Sequence, residues 1–205
     1  MALEITWLGR NCFRLKGRDC AVLTDPCPPE SGFNIGKQKV DIVTLSNRDE
    51  SGYSYLEDIT STLVLDAPGE YEVNGILVTA IATKRADGRR NIAYICEIDG
   101  IRVGHLGLAS TQGIEELKGV DVLLFPAGGE NALGGAAAAD VMTKVDPQVA
   151  IPMNFKIGPE TSNLQPIETF LKETGAKPEP QAKVSYSRTT LPQDLTMVLL
   201  EPRFS

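Results

Sequence analysis

Residues 41–52 read DIVTLSNRDESG, a strand-like stretch that runs directly into a polar loop. Its apolar positions belong to a β-rich run over Val40–Leu45, and the Asn, Asp, Ser and Gly that follow are turn formers. Three shorter β-rich stretches, separated by turn signals, precede it at Ile5–Leu8, Cys12–Leu15 and Ala21–Thr24. The first 45 residues therefore predict a meander of strands.

Further strands are predicted along the rest of the chain. They cover Ser61–Leu65, Ile76–Thr83, Ile92–Ile98, Ile101–Leu106, Val120–Phe125, Val149–Pro152 and Leu195–Leu200. The dipeptides Asn74-Gly75, Asp87-Gly88 and Asp99-Gly100 tolerate positive φ and favour tight hairpins. We therefore expect part of the strand pairing to be antiparallel.

Helical periodicity appears only in the second half of the chain. One predicted helix carries four apolar residues at i, i+3, i+4 and i+7: Ala138, Val141, Met142 and Val145. Two shorter helices are predicted over 166–174, closed by Gly175, and over 112–118, closed by Gly119. This alternation of strand and helix predicts an α+β fold in which helices cover the outer faces of two sheets.

The composition excludes several classes of protein. The chain has 205 residues, 42% of them hydrophobic, which suits one domain over residues 1–205. A net charge of −7 repels a phosphate backbone, so we expect no nucleic acid partner. The apolar runs fall far short of the ~18 residues that a membrane span needs, so we expect no membrane partner. Because the N-terminus carries no export signal, we expect a cytoplasmic location.

Four cysteines lie at spacings that match neither a zinc ribbon nor a redox pair: Cys12, Cys20, Cys27 and Cys96. In a reducing compartment they are expected to stay thiols, and we interpret them as small hydrophobic core residues.

Seven motifs, in this order, resemble the metallo-β-lactamase-fold hydrolases. They are ITWLG (5–9) with CFR (12–14), TDP (24–26), DIVTLS (41–46), PGEYEV (68–73), IDGIR (98–102) with HLG (105–107), VDVLL (120–124) and IPM (151–153). Within this family, the chain resembles the branch of small bacterial proteins similar to L-ascorbate-6-phosphate lactonase. The resemblance covers nearly the whole chain and implies an αββα four-layer sandwich with two mixed β-sheets.

The same resemblance implies a binuclear metal site, built from a His-x-His-x-Asp-His loop and later His, Asp and His residues. At those positions this chain carries Asn47, Asp49, Ser51, Gly52, Arg85, Leu108 and Asn154. Leucine cannot ligate zinc, and the chain's single histidine cannot build two imidazole-rich sites. We therefore expect no metal and no cofactor, with Arg48, Arg85 and Arg10 bringing positive charge instead.

Other residues near the predicted site have structural interpretations. The resemblance places His105 beside the ligand positions, and we interpret it as structural, although an imidazole near a cleft could act as a general base. Asp25 is expected to support the loops by accepting backbone N–H bonds. Asp49 and Glu50 could offer oxygen ligands to a hard cation, but such a cation needs several converging oxygens. We interpret the two residues as part of a solvated loop. Ser46 and Ser51 lack the sequence context of a nucleophile.

The sequence leaves two functions open. The main hypothesis is a non-catalytic protein whose cleft, lined by Asn47, Arg48, Asp49, Arg85 and Asn154, binds a small polar or anionic ligand, or whose surface meets a protein partner. No catalytic residue is assigned in that case. The alternative is a hydrolase of a small phosphorylated or lactone substrate that works without a binuclear zinc site. Such an enzyme could use Asp49 or His105 as its base, with Arg85 stabilising an oxyanion. It could instead use a metal that is held weakly by oxygen ligands. A homo-oligomer is compatible with both.

Overall fold

The computed structural model describes residues 2–130, 132–160 and 162–202. The strands, in chain order, are β1 Leu3–Gly9, β2 Cys12–Lys16, β3 Ala21–Thr24, β4 Gln38–Thr44, β5 Ile59–Leu65, β6 Gly69–Val73, β7 Ile76–Lys84, β8 Arg90–Ile98, β9 Ile101–His105, β10 Val122–Pro126, β11 Val149–Met153, β12 Pro180–Gln181, β13 Val184–Tyr186, β14 Thr196–Met197 and β15 Leu199–Leu200. The α-helices are α1 Gly135–Val145 and α2 Ile167–Thr174.

Two large sheets form the body of the fold. The first has the order β13-β1-β2-β3-β4-β5 and the second the order β14-β11-β10-β9-β8-β7-β6, while β12 pairs with β15. Both are mixed, because β3, β4 and β5 are parallel in the first sheet and β9, β10, β11 and β14 in the second, beside antiparallel hairpins. This confirms the predicted α+β sandwich with two mixed sheets.

The core lies between the sheets. Side chains of β1 and β2, such as Trp7 and Phe13, belong to the same buried hydrophobic cluster as Tyr94 and Ile98 of β8. The Tyr94 hydroxyl lies within hydrogen-bond distance of two backbone carbonyls at the ends of first-sheet strands. These are the carbonyls of Leu45, at 2.8 Å, and Leu65, at 2.9 Å. This side chain therefore ties the two sheets together where β4 and β5 end.

Two of the three predicted helices are present as α1 and α2, and they pack on the second sheet. α1 buries the predicted apolar face, and its last turn closes at Asp146, whose N–H donates to the Met142 carbonyl at 3.0 Å. α2 buries Phe170, whose ring meets Phe125 of β10 edge-on at 5.5 Å between centroids. The two α-helices thus cover the outer face of the second sheet.

The prediction of an α-helix over 112–118 is wrong. Only Glu115–Leu117 forms a helical turn, and it is a 3₁₀ turn. Gly113 has φ +72° and Gly119 φ +79°, so the backbone leaves the helical region on both sides. The segment between them is too short to nucleate an α-helix.

Loops, rather than a long helix, cover the outer face of the first sheet. The buried side chains on that face form a second hydrophobic cluster with residues of two loops: Leu8, Cys12, Leu23 and Val43 from the sheet, and Phe33, Ile35, Tyr55 and Leu56 from the loops. The second of these loops follows the strand in the DIVTLS motif. Its packing fixes the polar segment after residue 46 against the sheet.

The remaining differences concern short or edge strands. β6 was not predicted, and it pairs with β7 through the predicted Asn74-Gly75 turn, where both residues have positive φ. The strand predicted over Leu195–Leu200 is broken into β14 and β15, which pair with different partners. Among the described residues, no helix is both long and apolar enough to cross a membrane.

Candidate functional site

A cavity of about 120 Å³ lies where several strands of both sheets end. Its lining residues are Glu50, Tyr53, Arg85, Arg89, Leu108, Gly129, Glu130, Ala132 and Asn154. All of them follow the carboxyl ends of strands β4, β7, β9, β10 and β11. This edge is where open α/β sheets commonly bind ligands. Larger cavities exist elsewhere, one of them beside this site, but this one contains the buried guanidinium of Arg85.

The turn between β7 and β8 brings two arginines to the cavity. The Arg85 N–H donates to the Arg89 carbonyl at 2.9 Å, and the Gly88 N–H donates to the Arg85 carbonyl at 3.0 Å. Gly88 has φ +82°, a conformation that the predicted Asp-Gly turn provides. The Arg85 side chain is 3% exposed and that of Arg89 is 51% exposed, so only the first is a buried charge.

The Glu50 carboxylate lies against both arginines. Its Oε1 is 2.7 Å from Arg85 Nη1 and also contacts Arg89 Nη1. Asp87 pairs with Arg89, at 2.8 Å from Nε and 2.7 Å from Nη2, and these bonds lower the pKa of the Asp87 carboxyl. The four charged side chains form one network at the cavity wall.

Arg85 is incompletely satisfied by this network. Its Nε and Nη1 are buried without a hydrogen-bond acceptor among the described residues. The contact between Nη1 and Glu50 is short, but the N–H does not point at the oxygen, and Asp87 Oδ2 lies 3.8 Å from Nε. Buried donors in native proteins almost always have acceptors. The site therefore presents a buried cation with donors available to an anionic or carbonyl oxygen.

Tyr53 and Asn154 close another side of the cavity. The Tyr53 hydroxyl donates to Asn154 Oδ1 at 3.0 Å. Burial raises the pKa of Tyr53 to about 12, so the hydroxyl stays protonated at neutral pH. Arg10 stacks over the Tyr53 ring at 5.7 Å and pairs with Glu160 at 2.8 Å. Arg10 therefore supports Tyr53 and is already neutralised, which corrects the expectation that it adds positive charge to the cleft.

Three of the predicted site residues meet in this cavity: Arg85, Leu108 and Asn154. The others do not line it. Arg48 pairs with Asp66 at 2.6 Å on the surface, and Asp49 is exposed. Ser51 and Gly52 line a separate cavity beside Arg10. The cleft predicted from Asn47, Arg48 and Asp49 is therefore wrong in its composition.

Asn47 has a structural role in the loop. Its Nδ2 donates to the Arg90 carbonyl at 3.2 Å, and its Oδ1 accepts the Asp49 N–H at 3.0 Å. The side chain thus turns the chain and fastens it to the start of β8. This turn directs Glu50, rather than Asp49, toward the arginines.

His105 lies in the core below the cavity. It is fully buried, and its Nε2–H donates to the Asn11 carbonyl at 2.9 Å. Burial lowers the pKa of His105 to about 4, so the imidazole is neutral at pH 7. Because it reaches neither the cavity nor solvent, the use of His105 as a general base is wrong.

Asp25 supports the loops as the sequence predicted. The Ser46 N–H donates to Asp25 Oδ1 at 2.6 Å, and Asn11 Nδ2 lies 3.4 Å from Oδ2. Burial raises the pKa of Asp25 to about 7. The carboxyl is fully buried and does not line the cavity.

The residues of the cavity do not fit a binuclear zinc site. Leu108 offers hydrocarbon, Arg85 offers only donors, and the Asn154 oxygen accepts from Tyr53. The described residues contain no group of three or more His, Cys, Asp or Glu that could hold a metal ion. The Asp49–Glu50 cation site considered from the sequence does not form, because Asp49 is exposed while Glu50 lies against two arginines, and no third ligand joins them among the described residues.

Six lining residues were not assigned to the cleft from the sequence: Glu50, Tyr53, Arg89, Gly129, Glu130 and Ala132. Arg89 could have been found, since Arg85 and Arg89 flank the predicted Asp87-Gly88 hairpin. Glu130 follows β10 and has φ +61°. No local pattern distinguished its side chain.

Comparisons with known proteins agree on the family. A family model described as the Beta-lactamase superfamily domain matches residues 4–154. A UPF0173 protein of Pyrococcus furiosus is 28% identical, covering 75% of this chain and 83% of the relative. A UPF0173 metal-dependent hydrolase of Archaeoglobus fulgidus is 27% identical, covering 77% and 85%. A Thermotoga maritima protein, provisionally named as a Zn-dependent hydrolase of the metallo-beta-lactamase superfamily, has a solved structure with TM-score 0.81 and 30% identity over 98% of this chain and 100% of that one.

These comparisons overturn the main functional prediction. The chain was expected to be a non-catalytic binding or interaction protein, yet two of these relatives, those of Archaeoglobus fulgidus and Thermotoga maritima, are named as hydrolases. The expectation of no catalysis was drawn from missing zinc ligands alone, and missing ligands do not remove the rest of a cavity. The alternative prediction, a hydrolase, agrees better with the relatives.

Proposed function

Because the chain belongs to the β-lactamase superfamily, whose domain model matches residues 4–154, we propose that it is a hydrolase that opens a small lactone, or cleaves a comparable ester, without a binuclear zinc site. The observation that carries the proposal is the buried Arg85, whose Nε and Nη1 lack acceptors among the described residues, at the wall of a cavity that also contains the Glu130 side chain.

The choice of an acyl substrate follows from the size of the available effects. A positioned general base contributes roughly 10²–10⁴ in rate, and one oxyanion donor roughly 10²–10³. Phosphate monoesters need accelerations of up to ~10²¹, and no metal-bound water with a pKa near ~7 is available from these residues. A strained or activated ester needs far less help. A lactone therefore suits this site better than a phosphorylated substrate.

The cavity also limits the size of the substrate. Its volume is about 120 Å³. An apolar protein cavity of roughly 150 Å³ holds one benzene molecule. The reacting part of the substrate should therefore be no larger than a simple ring, as in γ-butyrolactone or δ-valerolactone.

Glu130 is the better base of the two cavity carboxylates. Glu50 Oε1 lies against two guanidiniums, and their positive charge makes the Glu50 carboxylate a weak base. Glu130 is exposed at the cavity and has no hydrogen bond or ion pair within the part of the chain that the structure describes. Its negative charge contributes to the raised pKa of Tyr53, which places it near that ring. A carboxylate in that setting is able to accept a proton from water.

In the proposed reaction, Glu130 removes a proton from water while the water oxygen bonds to the carbonyl carbon. The carbonyl π electrons move to its oxygen, and the Arg85 guanidinium donates to the resulting oxyanion. When the oxyanion collapses, the ring C–O bond breaks and the leaving oxygen takes the proton from Glu130. The product is a hydroxy acid, and the enzyme returns to its starting protonation state.

The test is hydrolysis of γ-butyrolactone and δ-valerolactone, followed in a pH-stat, with p-nitrophenyl phosphate as the phosphoester comparison. We expect lactone opening at the same rate before and after dialysis against EDTA. Arg85→Ala should lower the rate about 10²-fold or more, and Arg48→Ala, which removes a surface arginine of the neighbouring loop, should not. Activity that disappears with EDTA and returns with zinc would overturn the metal-independent reaction, and so would the absence of lactone turnover.

A further inference from the structure

We propose that Arg85 forms a carboxylate-binding site that Glu50 occupies in the free protein, and that the substrate carbonyl or the carboxylate of the hydroxy-acid product displaces Glu50 from it. The inference rests on the proposed function in taking Arg85 as the partner of the reacting oxygen. It adds an internal competitor for that position and a ligand class, small carboxylates.

The contact between Glu50 and Arg85 has the features of a replaceable partner. Glu50 Oε1 lies 2.7 Å from Arg85 Nη1, so the two charges neutralise each other. The N–H groups of Arg85 are not aligned with it, and they have no other acceptor among the described residues. A ligand carboxylate that lies in the guanidinium plane would gain aligned, charge-assisted hydrogen bonds that Glu50 does not make.

Glu50 can leave Arg85 without unfolding its loop. Its backbone carbonyl accepts from the Tyr53 N–H at 2.9 Å and from Ser54 Oγ at 3.0 Å, so the main chain is held independently of the side chain. The Glu50 side chain is 23% exposed and therefore has solvent on one side. A rotation about its side-chain bonds is enough to free Arg85.

Arg89 provides a second partner for the displaced carboxylate. It contacts Glu50 Oε1 already, and its own side chain is half exposed and anchored by Asp87. A Glu50 that moves outward therefore stays paired, while the incoming carboxylate pairs with Arg85. Exchange avoids leaving a buried charge unpaired, which is the costly outcome.

The cavity determines which carboxylates fit. At about 120 Å³ it accepts acetate or a short hydroxy acid. Since the product of lactone opening carries such a carboxylate on the former carbonyl carbon, product and substrate should compete for the same donors. Small carboxylates should therefore act as competitive inhibitors.

The test is calorimetric titration of sodium acetate and sodium 4-hydroxybutyrate, at constant ionic strength in sodium chloride, into the unmodified protein, Glu50→Gln and Asp49→Asn. Removing the internal competitor should tighten acetate binding about tenfold in Glu50→Gln. Asp49→Asn removes the same charge from the adjacent residue and should bind like the unmodified protein. Equal or weaker binding by Glu50→Gln would overturn the proposal.

Two further measurements keep the result interpretable. If Glu50→Gln does not fold, as judged by circular dichroism, Glu50→Asp withdraws the carboxylate from Arg85 and should also bind acetate more tightly; unchanged affinity there contradicts the proposal. Arg85→Gln should lose the binding. Tighter acetate binding without lactone turnover would reject the proposed reaction and keep the carboxylate site, whereas turnover without tighter binding would reject the displacement of Glu50 alone.

Discussion

The backbone N–H of Ser46 donates to the buried Oδ1 of Asp25 at 2.6 Å. Asp25 also donates to the same segment, because its backbone N–H bonds to the Thr44 carbonyl at 2.9 Å. The two bonds join the end of β3 to the end of β4, which is where the loop that carries Glu50 begins. A buried carboxyl outside the cavity thus fixes the starting point of one cavity wall.

The first prediction concerns the pH dependence of stability that Asp25 produces. Its pKa is raised from 3.8 to about 7 in the folded protein, chiefly by burial. Between those values the folded state binds a proton that the unfolded state does not, so this contribution is present below about pH 4 and is lost as the pH rises to about 7. The difference amounts to about 4 kcal/mol at most.

Asp25→Asn should remove that contribution, because the amide resembles the protonated carboxyl and does not titrate. The measurement is the free energy of urea unfolding between pH 4 and pH 8. We expect the stability of the variant to fall less, or to rise more, than that of the unmodified protein across this range. Parallel profiles would contradict the raised pKa of Asp25.

The second prediction concerns His105, whose contribution to stability depends on pH in the opposite direction to that of Asp25. Burial lowers its pKa from 6.5 to about 4. The unfolded chain binds the proton first, so the contribution of neutral His105 is present above about pH 6.5 and is lost as the pH falls to about 4. In the same pH window Asp25 and His105 therefore oppose each other.

His105→Gln keeps an N–H donor for the Asn11 carbonyl but removes the titration. The stability of this variant should fall more steeply with rising pH between 4 and 6.5 than that of the unmodified protein. The reason is that the effect of Asp25 is then no longer opposed by the titration of His105. The same urea titrations measure this. A variant profile that is flatter than the unmodified one would show that His105 is charged in the fold.

The third prediction separates catalysis from stability at Glu130. Glu130→Gln removes the proposed base and should lower kcat for lactone opening by roughly 10²–10⁴. Because the side chain is exposed, the free energy of unfolding should change by less than about 0.5 kcal/mol. Glu116→Gln, an exposed glutamate of the 3₁₀ turn, is the matched control for both quantities. Loss of kcat in both variants would point to net charge rather than to a base.

The fold was predictable where its signals are local. Asn74-Gly75 and Asp99-Gly100 both adopt positive φ at each residue and close the predicted hairpins. The spacing of Ala138 and Val141 likewise identified α1 and its buried face. The edge strand β13 was missed because it depends on pairing with β1, where Ser185 lies opposite Glu4 far away in the sequence.

The site was predictable only in part, because five strand ends meet there. Arg85, Leu108 and Asn154 were found through the resemblance, which carries positions but not side-chain contacts. The predicted cleft contained Asp49, and Glu50 was considered only as an oxygen ligand for a cation. The burial and hydrogen bonding of Asn47 decide which of these two carboxylates turns inward. No sequence pattern records that choice, which depends on a hydrogen bond to Arg90 in the other sheet.

The last prediction concerns Gly107, in the turn that leads from β9 to Leu108. Its φ is +58°, and a Cβ there would lie 2.2 Å from Ser46 Oγ and 2.5 Å from Ser46 Cβ. It would also lie 2.7 Å from Asn91 Oδ1, which accepts the Leu108 N–H at 2.9 Å. Ser46 cannot rotate its Cβ away, so the backbone near Asp25 must shift.

Gly107→Ala should therefore combine the backbone strain of a left-handed alanine, about 1–2 kcal/mol, with an overlap of about 1–3 kcal/mol. Gly119→Ala is the matched control, because Gly119 has φ +79° but a Cβ added there would have no atom within 4 Å. Only the backbone strain remains in that variant. Urea unfolding of both variants measures the difference. We also expect Gly107→Ala to impair lactone opening, since the shift reaches Leu108 and the loop after Ser46. Equal destabilisation of the two variants would mean that the turn relaxes without moving the cavity wall.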